Sequence, residues 1–193
     1  ADVLIIPGSK NTIEDLVALK TEGIAEVISS LYRRIPIIGI CGGYQMMGQW
    51  IDDPLQIETN RGKETGLGLF DITTTLSGTK TTVQREFQYK NYQETCMGYE
   101  IHMGETTTQG GKPLNLMNGM PEGYSDGDKS WGTYLHGILD NQVVVNELLH
   151  LKYPEANAHH YLSFKETQYE KLANWIDQHL DMDSIMTNIT RYD

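Results

Sequence analysis

Cysteine is scarce in this chain: Cys41 and Cys96 are the two thiols among 193 residues. Two cysteines exclude a disulfide-stapled secreted scaffold and suit a reducing cytoplasm. Positive charge is short as well, with 15 lysines and arginines against 26 aspartates and glutamates and a formal net charge of -11. A chain so acidic repels polyanions, which argues against nucleic acid or an anionic membrane as partner. No apolar run is long enough to span a bilayer, and no signal-peptide pattern opens the sequence. Linkers, low-complexity tracts and internal repeats are also missing. The length fits one sizeable domain over residues 1–193, large enough to bury a proper core.

Against these absences, one run stands out. Ile35-Pro36-Ile37-Ile38-Gly39-Ile40 is apolar and stops at Cys41, and Gly42-Gly43-Tyr44-Gln45 follows. Gly39-x-Cys41-x-Gly43 is the thiol counterpart of the G-x-S-x-G nucleophile elbow, in which small neighbours permit a sharp strand-to-helix turn. Such a turn lifts the nucleophile into a cleft. It also puts the sulfur at a helix N-terminus, whose partial positive charge is expected to favour thiolate.

The surrounding pattern alternates strand and helix. Val3 to Ile6 reads as a buried strand, followed by the loop Pro7-Gly8-Ser9-Lys10-Asn11. Thr12 with Asp15 reads as a helix start. Ile24, Val27, Ile28 and Leu31 fall on one helical face, and Gly23 interrupts the helical stretch between Thr12 and Tyr32. Ile35 to Ile40 is the second buried strand. Helical crossovers between such strands predict a parallel sheet covered on both faces. Gly66 to Tyr89, rich in Thr, Val and Phe, predicts strands and hairpins, and Met97 to Met103 and Trp131 to Leu135 predict further strands. Asn118-Gly119 and Asp126-Gly127 mark turns. Val143 to Leu151 predicts a helix, and Leu172, Trp175, Ile176 and Leu180 mark a C-terminal amphipathic one.

A cysteine nucleophile needs a base. His136 leads the six histidines, because the strand Trp131–Leu135 delivers it to a turn at Gly137, and strand C-termini line the functional edge of a parallel α/β sheet. His102 is next; it shares a strand face with Glu100. His159-His160 would point apart and makes a poor metal pair, and His150 and His179 read as helix residues. Acyl transfer also needs two N–H groups for the developing oxyanion. Gly42 supplies one, and the loop at Gly8 and Ser9 is the candidate for the other. Gly8-Ser9-Lys10 lacks the upstream glycine of a phosphate loop, which excludes that reading.

Four motifs in order carry a family resemblance: Pro7-Gly8-Ser9-Lys10-Asn11-Thr12, Gly39-Ile40-Cys41-Gly42-Gly43-Tyr44-Gln45, Gly98-Tyr99-Glu100-Ile101-His102-Met103-Gly104 and Gly132-Thr133-Tyr134-Leu135-His136-Gly137. Together with Ser125-Asp126-Gly127 and Leu180-Asp181-Met182-Asp183, they resemble the glutamine amidotransferase domain of the cobyric acid synthase family over nearly the whole chain. The sister family of cobyrinic acid a,c-diamide synthases matches less well around Gly43-Tyr44-Gln45. The resemblance implies a flavodoxin-like, mostly parallel α/β sheet with an added antiparallel region. It implies class I glutaminase chemistry, with Cys41 attacking the glutamine side-chain amide to give a thioester and ammonia, and His136 moving the protons. Gln45 would bind glutamine, with Glu100 and His102 also at the substrate. This domain would hold no metal or cofactor of its own. ATP and Mg²⁺ would sit on an N-terminal synthetase domain that amidates the b, d, e and g carboxylates of a corrinoid, adenosylcobyrinic acid a,c-diamide, in cobalamin biosynthesis.

Two departures follow. His136-Gly137-Ile138 lacks the glutamate of the His-x-Glu found in most class I glutaminases, so something else must orient the imidazole, with Glu100 a candidate. The family domain also has a strand–helix–strand unit before Ala1. The chain is therefore expected to be a piece of a longer protein, with an apolar face or strand edge exposed near its start. Two other readings remain open from the sequence: another Cys-His hydrolase on a similar sheet, and a catalytically silent binding module.

Overall fold

The structure, a computed structural model, describes residues 1–189. The order is β1 (Leu4–Ile6), α1 (Thr12–Thr21), α2 (Ile24–Leu31), β2 (Ile37–Ile40), α3 (Gly42–Met46), β3 (Trp50–Asp52), β4 (Lys63–Thr65), β5 (Ile72–Tyr89) and β6 (Thr95–Thr108). There follow β7 (Asn115–Met117), β8 (Met120–Glu122), β9 (Tyr124–Ser125), β10 (Trp131–Thr133), β11 (Leu135–His136), a 3₁₀ turn at Ile138–Asp140, α4 (Gln142–His150), α5 (Tyr161–His179) and α6 (Met182–Ile189).

β1, β2 and β10 form the parallel sheet, with β9 added antiparallel. Helices cover both faces, as the apolar runs predict. Ile37 packs with Ile13 and Leu16 of α1, Ile28 of α2 and Met46 of α3, while its neighbour Ile38 packs with Trp131 and Val144 of α4. Neighbouring strand residues point to opposite faces, so a continuous apolar run is what a doubly covered strand requires. Both isoleucines are fully buried, each contributing about 1.5–3 kcal/mol relative to exposure. The antiparallel region is a second sheet built on the β5–β6 ribbon, whose register shifts between Thr75 and Lys80.

Several expectations are corrected. The helix starts after Asn11, not on a Thr12–Asp15 pair: Asn11 accepts the Glu14 N–H at 3.4 Å, and Glu58 accepts the Thr12 N–H at 2.6 Å. The break expected at Gly23 is present, with Gly23 the left-handed residue between α1 and α2. Residues 66–71 form turns rather than strand. Trp131 to Leu135 is not one strand. It breaks at Tyr134, and the two pieces belong to different sheets, because β11 pairs with β6 through His136↔Tyr99. The C-terminal stripe is not core. Leu172 and Trp175 are 54% and 56% exposed, and Leu180 lies just past α5.

The exposed apolar edge expected near the start is present. β1 ends the sheet, and Ile5, Ile24 and Val27 are exposed. Unpaired edges template association, and a charge on the edge blocks it. Ile5→Lys is therefore expected to reduce self-association in sedimentation velocity without lowering the melting temperature. Unchanged association would show that this edge is not the contact.

Candidate active site

Cys41 sits between β2 and α3 at φ 52°, ψ -112°, a conformation that a non-glycine residue holds only when its surroundings impose it. They do so here. The Cys41 amide donates to the Thr133 carbonyl at 2.8 Å, and its own carbonyl accepts the Gln45 N–H at 3.0 Å. The thiol donates to the Ile101 carbonyl at 3.3 Å. Burial pushes the thiol up from its ordinary value; the Gly42 amide opposes this and Glu58 adds to it. This corrects the thiolate expectation: α3 has five residues, and its short dipole does not overcome desolvation.

His136 and Cys41 both border Gly8. A Cβ placed on Gly8 would lie 3.1 Å from His136 Cε1 and 3.6 Å from Cys41 Cβ, so the two side chains close on one point. Burial holds the imidazole below 6.5, with the Ile101 carbonyl opposing and His102 adding to the effect. Its Nε2 is buried and has no partner among the described residues. The ring stacks on Tyr99, centroids 5.2 Å apart. A neutral imidazole with an open nitrogen can take a proton from the thiol.

His102 is placed differently. Its Nδ1 faces the Gly104 carbonyl at 3.1 Å, its Nε2 faces Glu100 at 3.6 Å, and its ring stacks on Tyr134 at 3.9 Å. Both nitrogens point at acceptors, which leaves neither to receive the Cys41 proton. Glu100 does not orient His136 as the sequence suggested. It is buried, bonded to Arg85 at 2.5 Å and held below its ordinary value by His102 and then Arg85, against burial. It does not line the cavity at Cys41, and neither does His136, whereas His102 does.

That cavity, about 250 Å³, is lined by Ser9, Lys10, Thr12, Cys41, Gln45, Glu58, Lys80, Ile101, His102 and Met103. Gln45 is buried and donates to Tyr134 Oη at 3.1 Å and to the Met103 carbonyl at 3.3 Å. Ser9 turns its hydroxyl to Asp15 and accepts the Asn11 N–H at 2.9 Å, which fixes the loop. Its amide nitrogen lies 3.0 Å from where a Gly42 Cβ would be, so the Ser9 and Gly42 backbones adjoin. Glu58, Lys10, Lys80, Tyr134 and the Ile101 carbonyl were not singled out from the sequence as site groups. Glu58 lies in a loop with no pattern to mark it, and a carbonyl leaves no trace in residue identity.

The mixed α/β fold is one found among glutamine amidotransferases. A crystal structure of a glutamine amidotransferase superposes with TM-score 0.56 at 14% identity, covering 78% of each chain. Residues 1–144 match the CobB/CobQ-like glutamine amidotransferase domain, and the chain belongs to that family. Similar curated proteins are cobyric acid synthases: 40% identical over 94% of this chain and 38% of its own length in Phocaeicola vulgatus, 42% over 98% and 40% in Parabacteroides distasonis, and 44% over 94% and 39% in Limosilactobacillus reuteri. The chain thus spans about 40% of the length of these relatives.

Proposed function

We propose that this chain is the glutaminase part of a cobyric acid synthase, releasing ammonia from glutamine for the rest of a longer enzyme. The observation that carries this reading is the convergence of Cys41 and His136 at Gly8 on the cysteine turn. As glutamine enters, His136 accepts the thiol proton and the sulfur attacks the side-chain amide carbon. The oxyanion is met by the N–H groups of Gly42 and Ser9. His136 then protonates the departing ammonia, leaving a thioester at Cys41. Water activated by His136 cleaves the thioester to glutamate and frees the thiol. A general base contributes about 10²–10⁴-fold and one oxyanion donor about 10²–10³-fold. Gln45 holds the substrate side of the cavity. The ammonia passes to a synthetase portion that uses ATP and Mg²⁺ to amidate the b, d, e and g carboxylates of adenosylcobyrinic acid a,c-diamide, a cytoplasmic step of cobalamin biosynthesis. The relatives' names and the share of their length outside the match support this assignment.

The test is glutamate release from glutamine across a pH series, with the longer enzyme. Burial holds His136 below 6.5 and therefore neutral at pH 7. The rate is expected to hold down to pH 6.5 and to fall only below it, as the imidazole gains the proton that stops it accepting another. Absence of glutamate release, or an acid limb centred above 6.5, would overturn the reading.

A further inference from the structure

We infer that Glu122 is the positioning residue for His136: its buried carboxylate fixes the backbone crossover that carries the imidazole to Cys41. This rests on the dyad proposed above. Between β10 and β11 the chain leaves one sheet and joins another within a single residue, Tyr134. Backbone groups released at such a crossover need new partners. Glu122 accepts the Tyr134 N–H at 2.8 Å and the Thr133 hydroxyl at 2.7 Å, and Thr133 Oγ1 accepts the Leu135 N–H at 3.0 Å. Asn115 Nδ2 donates at 2.7 Å to Oε2, the oxygen that also takes the Thr133 hydroxyl, while the Tyr134 N–H goes to Oε1.

The donors that meet this side chain are an amide N–H, a hydroxyl and a carboxamide NH₂. The amide N–H and the carboxamide NH₂ can only donate, so they hold one carboxyl oxygen each as an acceptor, while burial pushes the Glu122 carboxyl up against the pull of Asn115, the Tyr134 amide and Thr133. Glu122 is 8% exposed, and so costly a burial is sustained only by a full set of donors. What the donors secure is the direction of a two-residue strand. β11 is Leu135–His136, too short to set its own course. Glutaminases with His-x-Glu hold the ring directly. Here the acid that would do so is missing, Glu100 is committed to Arg85 and His102, and Glu122 acts one step back, through the main chain.

The test uses the longer enzyme and the Glu122→Gln variant, which keeps volume and replaces one of the two accepting oxygens with an NH₂. Glutamine-dependent kcat is expected to fall about 10- to 100-fold, the share a misplaced general base forfeits, with KM for glutamine changed less than about threefold. Amidation from ammonium chloride should stay at the wild-type rate. The pH profile of Cys41 alkylation by iodoacetamide, read at that residue by mass spectrometry, should lose its His136 inflection. Equal loss of both activities would show a merely structural role and overturn the proposal, as would an unchanged kcat and alkylation profile. If Glu122→Gln does not accumulate, Thr133→Val removes the hydroxyl that links Glu122 to the Leu135 amide. It should give the same split, and a wild-type kcat there overturns the proposal equally. A Cys41-dependent glutaminase indifferent to both variants refutes Glu122 alone, whereas a glutaminase indifferent to Cys41→Ala refutes the dyad.

Discussion

Cys41→Ala is expected to abolish glutamine-dependent ammonia release, by about 10³-fold or more, while amidation from free ammonia by the longer enzyme survives. The split follows from the site. Cys41 touches the cavity with its sulfur and holds the turn with its backbone, and the substitution removes only the sulfur. Cys41→Ser should do nearly as much damage, because a serine hydroxyl gives up its proton far less readily in a site whose burial already pushes a thiol up. Cys96 is the control. It is buried in β6, 1% exposed, with its thiol pushed up to about 11, first by burial and then by Glu94. Cys96→Ser should leave glutamine use within about twofold, since nothing at that position faces the cavity. Glutamate release and ammonium-dependent amidation measured side by side decide the matter, and a Cys41→Ala enzyme that uses glutamine at the wild-type rate ends the proposal.

The resting pair is neutral on both sides. Burial raises the Cys41 thiol and lowers the His136 imidazole, so each group is pushed away from the ion pair. The thiol keeps its proton and donates it in a hydrogen bond to the Ile101 carbonyl. Charge separation must then coincide with substrate entry, when an oxyanion and two N–H donors offset its cost. In the proposed glutaminase, this arrangement would keep the thiol little reactive until glutamine is in place.

What could be read from residue types was the local chemistry at glycines. The run Gly39-x-Cys41-x-Gly43 located the turn because only small neighbours fit it, and Ile37-Ile38 located the doubly covered strand. The crossover at Tyr134 escaped because Trp131-Gly132-Thr133-Tyr134-Leu135 reads as unbroken strand by propensity. At the break the Tyr134 amide is taken by Glu122, which no local pattern marks as its partner. Asn11 rather than Thr12 caps α1, its side chain taking the Glu14 amide while a tertiary partner, Glu58, takes the Thr12 amide. The stripe on α5 was legible as amphipathic, yet periodicity tells which face is apolar and not whether this chain covers it.

Gly43→Ala should collapse the site by pure sterics. Helix propensity alone favours alanine over glycine by about 1 kcal/mol in α3. The space does not allow it. A Cβ at Gly43 would lie 2.6 Å from the Ile6 carbonyl carbon and 2.7 Å from the Pro7 oxygen, and closer still to the Ile6 oxygen. All three are main-chain atoms of β1 and its exit loop, so no rotamer relieves the contact. α3 must lift from the sheet, and Cys41 goes with it, away from Gly8 and His136. Overpacking of this kind costs about 1–3 kcal/mol or more, which exceeds the propensity gain. Gly78→Ala is the comparison, since a Cβ there meets nothing within 4 Å. It should stay within about 0.5 kcal/mol of wild type, as surface changes do. Thermal melts of the two variants, with glutamate release from whatever folds, separate the effects. Gly43→Ala should melt well below Gly78→Ala and lose glutamine hydrolysis even where it remains folded. A Gly43→Ala protein that melts with the wild type and hydrolyses glutamine normally would mean that α3 does not pack on β1 as described.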